Sequence, residues 1–180
     1  MFTSNQTLNK RIVLIESDRL RTFGGAINFG NPMDTFYNIL KHTHGGLRWL
    51  LLVVMIVAIF KFFTGWSKNR VFEASDKKLA LVTLILVHLQ LVFGLVLYFL
   101  SPYPQMLAEN AKEVMANSEL RFFAVEHLIG MLVAIALITV GYSRAKRLKH
   151  DFKKFKVLLV TYLLSFLLIM ALIPWDRLSN

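Results

Sequence analysis

Residues 79–100 read LALVTLILVHLQLVFGLVLYFL, an apolar run without one formal charge. At 1.5 Å per residue a helix over this run is about 33 Å long, close to the thickness of a bilayer's hydrocarbon core. A helix on the surface of a soluble domain would show a polar face, and this stretch has none. Three further runs share its character. Leu47–Phe63 is interrupted only by Arg48 and Lys61, Phe122–Tyr142 holds one acid, Glu126, and Val157–Ile173 is uncharged and closed by Pro174. With the first run extended back to His44, the expected spans are about 44–63, 79–100, 122–142 and 157–173. Their spacing predicts an all-α protein, an integral membrane four-helix antiparallel bundle.

Composition agrees. Of 180 residues, 56% are hydrophobic and 18% charged, against roughly 45–50% and ~25% in soluble domains. These values argue against a disordered chain and against an ordinary soluble enzyme. The chain has no Cys, which excludes disulfides, zinc–thiolate sites, iron–sulfur ligation and covalent haem attachment. Redox chemistry would have to rest on His or Met.

The net charge of +10 is unevenly spread. Lys68, Arg70, Lys77 and Lys78 lie between the first two spans, and Arg144, Lys146, Arg147, Lys149, Lys153, Lys154 and Lys156 between the last two. The second connection sets only Lys112 and Arg121 against Glu109, Glu113 and Glu119. The positive-inside rule then predicts cytoplasmic first and third loops, with both termini outside. The expected location is an inner (cytoplasmic) membrane, as a multi-pass protein. Trp49, Trp66 and Trp175 near the span ends suit the headgroup boundary. The basic run of the third loop reads as orientation and lipid contact, and no nucleic acid is expected as a partner.

Residues 1–32 hold no apolar segment. They read as an N-terminal extension, either disordered or a start-site artefact, with Met33 a second plausible start. Residues 33–180 form the expected four-span transmembrane domain.

Ionisable side chains within a span are expensive and usually mark a site. Here they are Arg48, His88, Glu126 and His127, with His42 and His44 at the outer rim; His150 reads as a solvated loop residue. A lone intramembrane His most often makes a helix–helix hydrogen bond. Three on three spans point instead to a haem iron, for which neutral imidazole is a natural ligand. Depth arithmetic matches neither His127 with His44 nor His127 with His88 perfectly. The pair His88–His127 is favoured as axial ligands because neither residue lies at the wet rim, and His44 is the alternate. Arg48 can pair with a haem propionate or snorkel to lipid phosphate. On the third span Glu126, His127, Gly130, Ala134 and Gly141 share a small-residue face that makes room for a macrocycle at Gly130, or simply packs against another helix. Gln90 and Gly94 share a face that points away from His88, so Gln90 reads as an interhelical hydrogen-bonding group. Thr161 and Ser165 are expected to bond backbone or a neighbouring helix.

The motifs His44-Gly45-Gly46-Leu47-Arg48-Trp49, His88-Leu89-Gln90-Leu91-Val92-Phe93-Gly94-Leu95 and Val125-Glu126-His127-Leu128-Ile129-Gly130-Met131 resemble those of small bacterial four-helix membrane proteins labelled b-type cytochromes. The first is similar to that group's H-S-G-L-R-W. The resemblance covers about Met33 to Trp175. It implies one non-covalent b haem and electron transfer, rather than a catalyst with its own active site. Beyond the lipid bilayer, the partners it implies are quinol, a redox protein or a larger respiratory complex. A haem-free accessory or structural subunit of a membrane complex is the alternative, and a proton relay through Glu126 and the His cluster a third reading.

Overall fold

The computed structural model describes residues 32–175. Helix α1 runs Pro32–Ser67, α2 Ala74–Leu100, α3 Tyr103–Ala116, α4 Ser118–Arg121, α5 His127–Arg147 and α6 Asp151–Ala171. A π turn, Phe122–Glu126, joins α4 to α5, so residues 118–147 are one continuous helical stretch. Among the described residues there is no strand. Helices α1, α2 and α6 and the 118–147 stretch are each long and apolar enough to cross a membrane, which makes this a multi-pass, all-α protein. Helices span bilayers because they satisfy every backbone N–H and C=O within one segment.

The chain divides into residues 1–39 and 40–180. The described part of the first unit is the opening of α1, where Pro32 takes the first helical position and Asp34 lies in the first turn. Both choices favour a helix start, the ring by its fixed φ and the carboxylate by the helix dipole. Helix α1 therefore begins well before the expected His44, and Gly45-Gly46 does not break it. The expectations for residues 1–31 lie outside the described residues.

In the second unit the helices pack in an up–down–up–down ring. Helix α1 meets α2 through Lys61 and Asp76 at one end and His44 and Gln90 at the other. Helix α2 meets the 118–147 stretch where Tyr98 Oη donates to the Ala124 carbonyl, 3.0 Å. Helix α5 meets α6 through Ser165 and Ala134, and α6 returns to α1 through Tyr162 and Phe62. Successive neighbours run antiparallel, and α1 and α5 stand across the bundle from each other.

Small residues set the α5–α6 contact. A Cβ on Gly141 would collide with Thr161 Oγ1, one on Gly130 with Leu172 Cδ1, and Ala134 is fully buried. Thr161 Oγ1 bonds its own helix at the Val157 carbonyl, 2.9 Å. Ser165 Oγ lies 2.7 Å from the Thr161 carbonyl and 2.9 Å from that of Ala134, so one proton is shared between two acceptors. This is the packing that membrane helices favour where backbones approach closely.

The end with the first and third loops is aromatic and ionic. Phe62 meets Tyr162 edge-on at 5.4 Å, Phe72 meets Phe155 at 5.1 Å, and Tyr162 Oη donates to the Ala80 carbonyl, 2.8 Å. Asp76 is fully buried, yet it receives Arg70 at 2.7 Å, Lys61 at 3.3 Å and the Glu73 backbone N–H at 2.9 Å. Glu73 and Asp76 close a capping box that starts α2. The hydrogen bond to Asp76 pushes the Arg70 pKa above its ordinary value. Lys61, the charge near the end of the first apolar run, is thus a partner for a buried acid.

At the opposite end the second connection folds into α3, an amphipathic helix with an irregular residue at Asn110 (φ −141°, ψ 52°). Val114 is its buried contact. Asn117 Oδ1 caps α4 by accepting from the N–H groups of Glu119 and Leu120, 3.0 and 3.1 Å.

Gly141→Ala forces a methyl into Thr161 and should lower stability by about 1–3 kcal/mol. Gly46→Ala, whose Cβ meets nothing within 4 Å, should be neutral or slightly stabilising. Thermal unfolding in detergent compares the two, and equal losses would contradict the packing described.

Candidate functional site

The π turn is the local event that sets the site. The His127 backbone N–H reaches back to the Phe122 carbonyl, one residue further than an α-helix allows. Glu126 and His127, successive residues at the end of this turn, point to different surroundings. Glu126 is exposed and pairs with Arg121 at 2.6 Å, while Arg121 also donates to the Met115 carbonyl, 2.9 Å. Glu126 therefore pins the α3–α4 connection to the bundle and does not bond a His. Single-turn π segments inside helices recur at functional positions.

His127 turns inward, half-buried, and its Nδ1 lies 2.9 Å from the Leu172 carbonyl oxygen. A carbonyl only accepts, so Nδ1 carries the proton and Nε2 is left as a free acceptor. The Leu172 carbonyl is available because α6 stops at Ala171, and Pro174 soon after offers no N–H to continue the ladder. Phe122 flanks the His127 ring at 5.9 Å between centroids.

His44 comes from α1, on the opposite side of the bundle. Gln90 Nε2 donates to its backbone carbonyl, 2.8 Å, and a Cβ on Gly94 would lie 3.2 Å from its Cε1. Arg48 stands one turn further along α1, with its guanidinium carbon 5.4 Å from the Trp49 ring centroid. His44, His127 and Arg48 interact electrostatically with one another. Within this cluster His44 Nδ1, Arg48 Nε and Gln90 Oε1 are buried and have no hydrogen-bond partner among the described residues. Buried polar atoms are rarely left unpaired, and three together mark a place built for something more.

His88 is elsewhere. It is exposed on the outer side of α2, its Nδ1 hydrogen-bonds the Leu84 carbonyl of its own helix at 2.7 Å, and Leu84, Ile85, Leu89 and Val92 surround it. The favoured pair His88–His127 is thus not brought together; the alternate, His44, is the imidazole that lies near His127. The reason is angular, since Gln90 and Gly94 face α1 and leave His88 on the lipid side. Gly130 is likewise not open to a ligand, because the Leu172 side chain covers it. His42 is exposed.

Comparison of the chain with protein-family models, with curated proteins and with solved structures yields no match. Among the described residues no group of three or more His, Asp or Glu is gathered to hold a metal ion. A haem iron asks less of a protein, namely one or two imidazoles. The donor set fits that group. His127 has a protonated Nδ1 anchored on a carbonyl, the arrangement that fixes ring and tautomer in metal-binding histidines. His44 supplies a second imidazole from the facing helix, and Arg48 a cation with an unpaired N–H for a carboxylate.

Because the chain has no Cys, single nitroxide labels can be placed cleanly. A label at position 88 should collide freely with dissolved oxygen, as expected of a lipid-facing site, and one at the fully packed Val87 (1% exposed) should be shielded. Power-saturation measurements in liposomes read both. A shielded label at 88 would contradict the outward placement of His88.

Proposed function

We propose that this protein is a membrane b-type cytochrome-like electron-transfer protein that holds one non-covalent b haem between His44 and His127. One observation carries the reading. Two imidazoles from helices that face each other across the bundle occur at the same end, one with its Nδ1 tied to a backbone carbonyl, beside a cation with an unpaired N–H. A bound haem supplies a one-electron couple. The chain's own part is to present Nε2 of each ring, to hold neutral imidazole, to keep water out with the apolar walls of the bundle, and to offer Arg48 to a propionate. Quinol, a redox protein or a larger respiratory complex are the candidate partners. The basic first and third loops support an inner-membrane orientation with those loops in the cytoplasm and the histidine end outside.

A second reading has an observation of its own. His88 presents an imidazole nitrogen to the lipid, where no hydrogen-bond donor is available, and a helix of a neighbouring subunit would cover it. That favours a haem-free accessory subunit. Full-length protein produced with ample haem and purified in detergent distinguishes the two. The cytochrome reading expects a Soret band and a reduced α band of a six-coordinate low-spin haem. His44→Ala and His127→Ala should each abolish the α band, while His88→Ala keeps it. A colourless wild-type preparation overturns the cytochrome reading in favour of the accessory subunit.

A further inference from the structure

His88 lies outside the His44–His127 site and has a chemistry of its own. Its Nδ1 stands 2.7 Å from the Leu84 carbonyl oxygen of the same helix. A carbonyl only accepts, so Nδ1 carries the proton and Nε2 is an acceptor. The ring is exposed on the outer side of α2, in a shallow apolar hollow with Leu84, Ile85, Leu89 and Val92. It sits between Ala74 and Leu100, the ends of α2, about 21 Å from the first and about 18 Å from the second. That is the middle of the hydrocarbon, away from water and from lipid headgroups. An acceptor there is costly unless something brings it a hydrogen-bond donor.

The side chains around His88 limit what can cover it. Membrane helices approach closely where small residues let them. Inside the bundle Gly130, Ala134 and Gly141 do this. The exposed neighbours of His88 are Ile85, Leu89 and Val92, large or branched side chains that hold a second helix off. The occupant has to arrive through lipid, be thin enough to lie among these side chains, and carry an O–H at mid-membrane depth. A lipid-soluble quinol meets all three conditions.

We propose that the outer face of α2 at His88 is a quinol-binding site, in which His88 Nε2 accepts a hydrogen bond from one ring hydroxyl and the apolar hollow holds the ring. The site selects the reduced form. An oxidised quinone offers only carbonyl oxygens, so acceptor would meet acceptor at Nε2. Moving the imidazole proton to Nε2 would sacrifice the 2.7 Å bond to Leu84, because a neutral ring has one N–H. The site is separate from the haem reading and does not depend on it.

Full-length protein with 15N-labelled histidine in nanodiscs provides the test. A short-chain benzoquinol kept reduced without oxygen, the matching quinone and dodecanol are titrated in turn, and His88→Leu identifies the His88 signals. The expected result is an Nε2 signal that moves saturably with the quinol, at an affinity about tenfold above that for the quinone, the worth of one hydrogen bond. Dodecanol, a hydroxyl compound without the ring, should leave the signal where it is. Equilibrium dialysis against empty nanodiscs should show the preference for quinol lost in His88→Leu. Val92→Trp, which fills the hollow and keeps the imidazole, should weaken binding of both forms. Equal affinity for quinol and quinone in the wild type overturns the proposal, as does a preference that survives His88→Leu or a saturable shift with dodecanol. An Nε2 signal already hydrogen-bonded before any addition, in nanodiscs that hold two copies, would give this face to a second copy of the chain and overturn it as well. A colourless preparation, which defeats the haem reading, alters none of these outcomes.

Discussion

Hydrocarbon offers no hydrogen bonds, and that constraint organises the whole bundle. It forces the backbone into helices and leaves each polar side chain to find its partner inside the protein. Thr83, Thr139 and Thr161 return their hydroxyls to carbonyls of their own helices. Tyr98, Tyr162 and Ser165 reach carbonyls of neighbouring helices, and so tie α2 to the 118–147 stretch, α6 to α2, and α6 to α5. Among the described residues the buried atoms left without a partner are Trp66 Nε1 at the basic end and, grouped at the other end where α1 and α2 meet, His44 Nδ1, Arg48 Nε and Gln90 Oε1.

The two ends of the bundle solve different problems. At the loop-rich basic end, Asp76 is buried but surrounded by Arg70, Lys61 and a backbone N–H, so the charge is compensated and α2 is capped in the same step. That network is closed. At the histidine end the π turn, the stop of α6 before Pro174 and the bare Cα of Gly94 each create an opening. The first turns His127 inward, the second frees a carbonyl to hold it, and the third gives the His44 ring room against α2. The network there is open, with donors and acceptors still to be matched, and an open network inside a membrane bundle is where a ligand has most to gain.

Much of this was legible in the sequence. The four apolar runs, the Pro and Gly punctuation and the lack of charge in 79–100 gave the spans and the antiparallel order, and the packing of Ser165 and Thr161 followed the expected pattern. The start of α1 at Pro32 lies beyond the apolar run, because Phe36, Ile39 and Leu40 are interspersed with Asp34, Asn38, Lys41 and His42; a Pro with an acid two residues later is the local clue. The favoured pair, His88–His127, rests on both residues lying away from the wet rim; the structure sets His88 on the outer side of α2 and leaves His44 as the imidazole near His127. The shared face of Gln90 and Gly94 was visible from their i, i+4 spacing, and the partner of that face, His44, was the information it lacked. The π turn has no signature in FFAVE. Gly130 read as room for a ligand because sequence alone does not show Leu172 lying over it.

The central claim is that His44 and His127 serve one iron. Hyperfine spectroscopy of the oxidised, haem-loaded protein with 15N-labelled histidine tests it directly, because couplings from axial nitrogens are resolved from those of the unlabelled macrocycle. The account predicts two strongly coupled histidine nitrogens, both present when His88 is replaced by Ala and only one when either His44 or His127 is replaced. A single coupled histidine in the wild type, or a coupling that disappears with His88, would contradict it.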